Sequence, residues 1–259
     1  MPPEPAVHEI FPNPLVKHAQ FGIIFAEPLP HSSHPVLIRR LCEIFPGADW
    51  RLGTGSRLDA GGNAEIGLMQ ASADGDAISL FPTALYLETA RYGSFQRFRH
   101  LLERVIGPLD ADVSTAVSAV QLRYVDEIRV DVPASAMPAG WQPYVTFQMI
   151  QGIPGLEGQF AGGYGGLLLH CGPNRHLSLE WSITEQDAIP ADHPLVSWYP
   201  SLDKPALVLD WVGHATPESP IPFGANAVLG LMDAMYSDIR DAFAATITDK
   251  CRELMRGKI

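Results

Sequence analysis

The sequence predicts an α+β fold in which helices cover one side of an antiparallel sheet. Three observations lead to this prediction. Short segments of strand-type residues are separated by clusters of glycine, aspartate and asparagine, as in a meander of antiparallel strands. Two segments repeat apolar residues every three or four positions, which is typical of amphipathic helices. A third and much longer apolar stripe predicts a C-terminal helix that packs across the sheet.

The elements of the first half follow from turn and cap signals. Pro35 stands in the first turn of a helix that Pro46 and Gly47 should end, and Ser94 is a suitable N-cap for a second helix that Gly107 and Pro108 should end. The predicted strands of this half cover residues 21–25, 50–58, 64–71 and 76–90.

The second half shows a similar order of elements. Its predicted strands cover residues 117–131, 158–170, 176–185 and 206–214, and its closing helix covers residues 225–256. Residues 144–150 fit either a strand or a short helix packed on the sheet, and we favour the helix. The order strand, helix, three strands, helix therefore occurs at 20–107 and can be read again at 117–256. The sequence predicts an extended N-terminal arm at 1–19, a first α+β half at 20–112 and a second at 113–259; one integrated domain is the alternative.

Composition excludes several classes of function. The 29 acidic and 18 basic residues give a net charge of −11, which repels phosphate backbones, so nucleic acid is not an expected partner. The sequence contains neither a signal-peptide pattern nor a long apolar run, so we expect no membrane contact. Three widely spaced cysteines favour a reducing cytoplasm, and no cofactor is expected because the known nucleotide-loop patterns are absent.

Strand alternation places several polar side chains on one face of the second-half sheet. If residues 171–175 form a hairpin turn, leucines and tryptophans share the core face and polar side chains share the other. The polar set is His170, His176, Glu180, Asp210 and His214. These residues are candidate ligands for a divalent metal, although a solvated sheet face explains the same pattern. Surface positions are expected for His8, His18, His31, His34, His100 and His193.

A second group of polar residues follows the strand predicted at 117–131. Arg123, Tyr124 and Asp126 are candidate binding residues. Arg123 and Asp126 are expected to pair with charges on a neighbouring strand, while the functional alternative has Arg123 and Tyr124 holding an anionic or planar ligand. Trp198 and Tyr199, in a long loop, are candidates for a binding surface. Nucleophilic catalysis has no recognisable motif, because the Gly-x-Ser-x-Gly pattern is absent.

Three short motifs resemble those of one family. They are Pro12-Asn13-Pro14-Leu15-Val16, Leu122-Arg123-Tyr124-Val125-Asp126-Glu127-Ile128 and Leu207-Val208-Leu209-Asp210. They are similar to the Asn-Pro-Pro, Leu-Arg-Tyr-Ile-Asn-x-Ile and Leu-Asp-Ile-Asp motifs of a sporadically distributed prokaryotic family of uncharacterised proteins of about this length. That family has no established activity. Its patchy distribution implies an accessory component, for example of a phage-defence or toxin-neutralisation system.

From these patterns we expect a non-catalytic, cytoplasmic protein that recognises a protein partner or a small ligand, with homodimerisation through the C-terminal helix. Two alternatives stay open. One is a metal-dependent hydrolase that uses the five polar residues of the second-half sheet. The other is a small-molecule effector-binding domain with a hydrophobic pocket between the halves.

Overall fold

The structure is a computed structural model that describes residues 11, 14–44, 50–58, 64–72, 74–131, 139–146, 163–184, 193, 195 and 205–258. Its strands are β1 (Val16–Phe25), β2 (Trp50–Leu58), β3 (Ala64–Ala71), β4 (Asp76–Phe81), β5 (Ala84–Thr89), β6 (Val117–Arg129), β7 (Gly163–Gly172), β8 (Arg175–Thr184) and β9 (Ala206–Ala215). Its helices are α1 (His34–Ile44), α2 (Phe95–Leu109), α3 (Ala225–Thr246) and α4 (Asp249–Met255), with a 3₁₀ turn at Ala139–Trp141.

The nine described strands form one antiparallel sheet in the order β2-β3-β4-β5-β1-β6-β9-β8-β7. The predicted α+β class, with an antiparallel sheet and a C-terminal helix, is confirmed. β1 pairs with β6 at the centre, so this pairing joins the strands of the first half to those of the second. On each side of it, the last strand of that half lies next to the first, which gives the two halves mirrored strand orders.

Alternation along the strands gives the sheet two distinct faces. We call the side that carries Phe21, Leu122 and Trp211 the helix face, because α3 packs against it. Gly213 also lies on this face, and a Cβ there would lie 3.2 Å from the Cβ of Met235, so glycine permits the close approach of α3. We call the other side, which carries Glu88, the polar face.

Two elements between α1 and β6 differ from the prediction. The strand expected at 76–90 is a hairpin of β4 and β5, because Pro82 and Thr83 form a two-residue turn between paired Phe81 and Ala84. Four strands therefore follow α1, where three were predicted. α2 continues through Pro108 to Leu109, whose side chain is buried in the core.

The long C-terminal helix is interrupted near its end. Ile247 is extended, and the hydroxyl of Thr248 accepts a hydrogen bond from the backbone N–H of Cys251, which starts α4 as a separate helix. The buried residues of α3 include Val228 and Met232, whereas Leu231 is partly exposed. Dimerisation through this helix stays a prediction.

β1 begins at Val16, so residues 16–19 of the predicted arm belong to the central strand. None of the helices in the described part of the chain is long and apolar enough to cross a membrane.

Candidate functional site

A cavity of about 600 Å³ opens on the helix face. It lies where the start of α2, the middle of α3 and the end of β6 come together, and its wall also includes residues 14–16 before and at the start of β1. Its volume is within the range of small-molecule sites, which is about 300–1,000 Å³. Both halves of the sequence supply wall residues, from positions 92–96 in the first and from 124 onwards in the second.

Aromatic side chains form much of this wall. Phe95 of α2 and Tyr236 of α3 are stacked with 3.7 Å between ring centroids. The hydroxyl of Tyr92 donates a hydrogen bond to that of Tyr124 at 3.3 Å, and their rings meet edge to face. Burial raises the pKa of both Tyr92 and Tyr124, so each hydroxyl stays protonated and available for hydrogen bonding.

Asp126 places a buried carboxyl in the same wall. Asp126 as a whole is only 3% exposed to solvent. Burial raises the pKa of Asp126 to about 7; the indole of Trp211 opposes the shift and the charge of Asp210 adds to it. A carboxyl with a pKa near 7 gains or loses its charge around neutral pH. A strongly shifted pKa of this kind, in a residue that lines a cavity, is typical of functional sites.

Strand alternation separates the residues predicted to bind a ligand. Tyr124 and Asp126 face the cavity, whereas Arg123 points to the polar face. There its guanidinium forms a bidentate ion pair with Asp210 of β9, with N···O distances of 2.8 and 2.6 Å. Arg123 therefore makes the cross-strand pair that the sequence predicts, while Asp126 is buried beside aromatic side chains. Trp198 and Tyr199 lie outside the described residues.

The five predicted metal ligands all lie on the polar face. His170 pairs with His176 across the β7–β8 hairpin, and His176 pairs with His214 of β9, as the alternation predicts. The rings of His176 and His214 are stacked, with centroids 4.8 Å apart. The pKa of His214 is lowered mainly by burial and also by the charge of nearby His176. Glu180 lies opposite Asp210, whose oxygens bind Arg123.

Among the described residues, a different group of side chains brings possible metal-ligand atoms close together. His18 of β1, Glu88 of β5 and His193 have ligand atoms that all lie within 4.8 Å of one another, and none of the five predicted residues belongs to this group. The Nε2 atoms of His18 and His193 lie 3.2 and 3.0 Å from Oε2 of Glu88. Burial would raise the pKa of Glu88, but hydrogen bonds and charge from the two histidines outweigh it and hold that pKa well below its usual range.

The surface position expected for His18 is wrong, and His193 is only partly exposed. The side chain of His18 is 2% exposed and that of His193 is 19% exposed, because both contact Glu88. Their positions in the sequence are far apart, and neither lies in a ligand motif. The one signal available was strand parity, which places His18 and Gln20 on the same side of β1.

Comparisons with known proteins identify no family for this chain. The chain matches no protein-family model and no curated protein.

Proposed function

We propose that this chain is a small-ligand-binding protein whose site is the cavity on the helix face. The observation that supports this most directly is the buried carboxyl of Asp126, with a pKa of about 7, in an aromatic-walled cavity of about 600 Å³. Specific ligand sites combine a mainly apolar wall with a small number of polar anchors, and this cavity has that composition.

The chemistry of the wall favours a ligand that combines an aromatic ring with an aliphatic amine, which is cationic at neutral pH. Rings such as those of Phe95 and Tyr236 contact planar molecules well, and the paired hydroxyls of Tyr92 and Tyr124 supply hydrogen-bonding groups. A cationic nitrogen near Asp126 would stabilise the carboxylate over the carboxylic acid. Such a ligand is therefore expected to bind more tightly above pH 7 than below it, until its own amine loses its proton.

The cellular role that we infer from this site is regulatory or accessory, through effector binding and without catalysis. It agrees with the accessory role that the family resemblance implies. A cytoplasmic location is part of the proposal and is supported by Cys171 and Cys251, which are free thiols.

A thermal-shift series tests this proposal with three molecules that share one ring system: tryptamine, indole and indole-3-acetate. We expect tryptamine to raise the melting temperature most, because it alone offers a cation to Asp126. Asp126→Asn should remove this preference, whereas Asp74→Asn, which changes an exposed carboxyl, should keep it. Equal shifts for the three molecules, or no shift with any of them, would contradict the proposal.

A further inference from the structure

We propose that His18, Glu88 and His193 form a binding site for a divalent first-row transition-metal ion on the polar face of the sheet. Two imidazole nitrogens and one carboxylate oxygen are the donor set that zinc, ferrous iron and cobalt share. Magnesium and calcium prefer sites made of oxygen alone, so two imidazoles argue against them.

The distances between donor atoms fit one shared ion. Metal–donor bonds of about 2.0–2.2 Å place neighbouring donor atoms about 3–3.5 Å apart. The two imidazole Nε2 atoms lie 3.2 and 3.0 Å from Oε2 of Glu88, and the three donor atoms lie within 4.8 Å of one another. Only small side-chain movements are therefore needed to give all three atoms bonding distance to one ion.

Two of the three donors are held by the centre of the sheet. Gln20 pairs with Glu88 in the β1–β5 register, and its Nε2 donates a hydrogen bond to Oε1 of Glu88 at 3.1 Å. This bond orients the carboxylate and leaves Oε2 directed towards the histidines, which is the role of an outer-shell partner in metal sites. Both His18 and Glu88 are nearly excluded from solvent, so their positions are fixed before an ion arrives.

The third donor comes from the segment between β8 and β9. The backbone N–H of Leu195 donates to Nδ1 of His193 at 3.2 Å, which in the neutral ring places the proton on Nε2, facing Glu88. An ion that binds Nε2 takes the place of this proton, the ring proton moves to Nδ1, and the Leu195 N–H loses its acceptor. One hydrogen bond is weak compared with ligation by three donors, so the exchange favours the ion.

Three protein donors leave further coordination positions for water or a small ligand. The site lies on the opposite side of the sheet from the cavity, because Glu88 and Asp126 occupy opposite faces. Metal binding and ligand binding can therefore be tested separately, and failure of one leaves the other standing.

The experiment is a titration of the full-length, chelator-treated chain with Co²⁺, followed by visible absorption, and with Zn²⁺, followed by calorimetry. We expect one ion per chain and absorption bands of bound cobalt. His193→Ala, in the better exposed of the two histidines, should weaken binding by about 100-fold or more, and Glu88→Gln by at least about tenfold. His176→Ala and His214→Ala are matched controls on the same face and should leave binding unchanged.

His18→Gln provides a second test within the strand, with its fold checked by circular dichroism in the absence of metal. Loss of binding in a folded His18→Gln variant supports the site. Two results would overturn it: no saturable binding of either ion by the unaltered chain, or binding that His193→Ala leaves intact. Loss of binding in the His176→Ala and His214→Ala controls alone would place the ion at the other histidines and would equally overturn the proposal.

Discussion

The two faces of the sheet each bury a carboxyl, and the two carboxyls behave in opposite ways. On the helix face, Asp126 lies among aromatic side chains, and burial raises its pKa to about 7. On the polar face, Glu88 is also buried, yet the histidines beside it hold its pKa well below the usual range. The comparison shows that burial alone does not decide the charge of a carboxyl here, because donors within hydrogen-bonding distance reverse its effect.

The largest expected effect comes from removing the charge of Asp126. Its pKa is higher in the folded chain than in the unfolded one, so the folded state binds more protons between about pH 4 and pH 7, and stability falls as pH rises through that window. Asp126→Asn lacks this loss. The free energy of unfolding of Asp126→Asn, minus that of the unaltered chain, should therefore increase by roughly 3 kcal/mol as pH rises from about 5 to about 8.

Denaturant unfolding at several pH values measures this difference. Asp74→Asn, at an exposed position, serves as control and should follow the unaltered chain at each pH. A constant difference between Asp126→Asn and the unaltered chain across this range would mean that Asp126 has an ordinary pKa.

A smaller effect of the opposite sign is expected for Glu88→Gln. The charged carboxylate accepts hydrogen bonds from both histidines and from Gln20, and glutamine accepts them more weakly. In chelator at neutral pH the variant should lose about 2 kcal/mol of stability by denaturant unfolding. Glu43→Gln, at an exposed position on α1, should change it little. A Glu88→Gln variant as stable as the unaltered chain would show that the histidines do not stabilise the carboxylate.

The smallest effect concerns an ion pair on the same face as Glu88. Arg123 and Asp210 are partly exposed, so solvent screens their attraction despite the bidentate geometry. Arg123→Met keeps the aliphatic stem and should cost about 1 kcal/mol of stability. A change above about 3 kcal/mol in the same unfolding assay would show that the pair behaves as a buried one.

The sequence alone predicts the antiparallel sheet and, for many strand residues, the face of the sheet on which they lie. Period-two alternation places His170, His176 and His214 on one face, and the structure pairs these residues in register. The β4–β5 turn was missed because Pro82 and Thr83 carry none of the glycine or asparagine signals of tight hairpins. The break before α4 was missed because the apolar spacing continues through Ile247 to Cys251, although Thr248 is a good N-cap.

The site residues were harder to predict because they depend on contacts between distant parts of the chain. His18 and Glu88 are separated by 70 positions, and no local spacing brings them together. Asp126 was expected to pair with a charge, since it lies in a strand with alternating charges. The structure shows that its strand position faces the aromatic cavity, an environment that depends on the packing of α2, α3 and α4 and of the segment before β1.

The most direct test of the account is a carbon-detected NMR titration of the Asp126 carboxyl in the unaltered chain, assigned with Asp126→Asn. We predict a midpoint near pH 7 that moves to lower pH when tryptamine is bound, since a cation favours the carboxylate. A midpoint near pH 4, unchanged by tryptamine, would contradict both the buried-acid interpretation and the ligand site built on it.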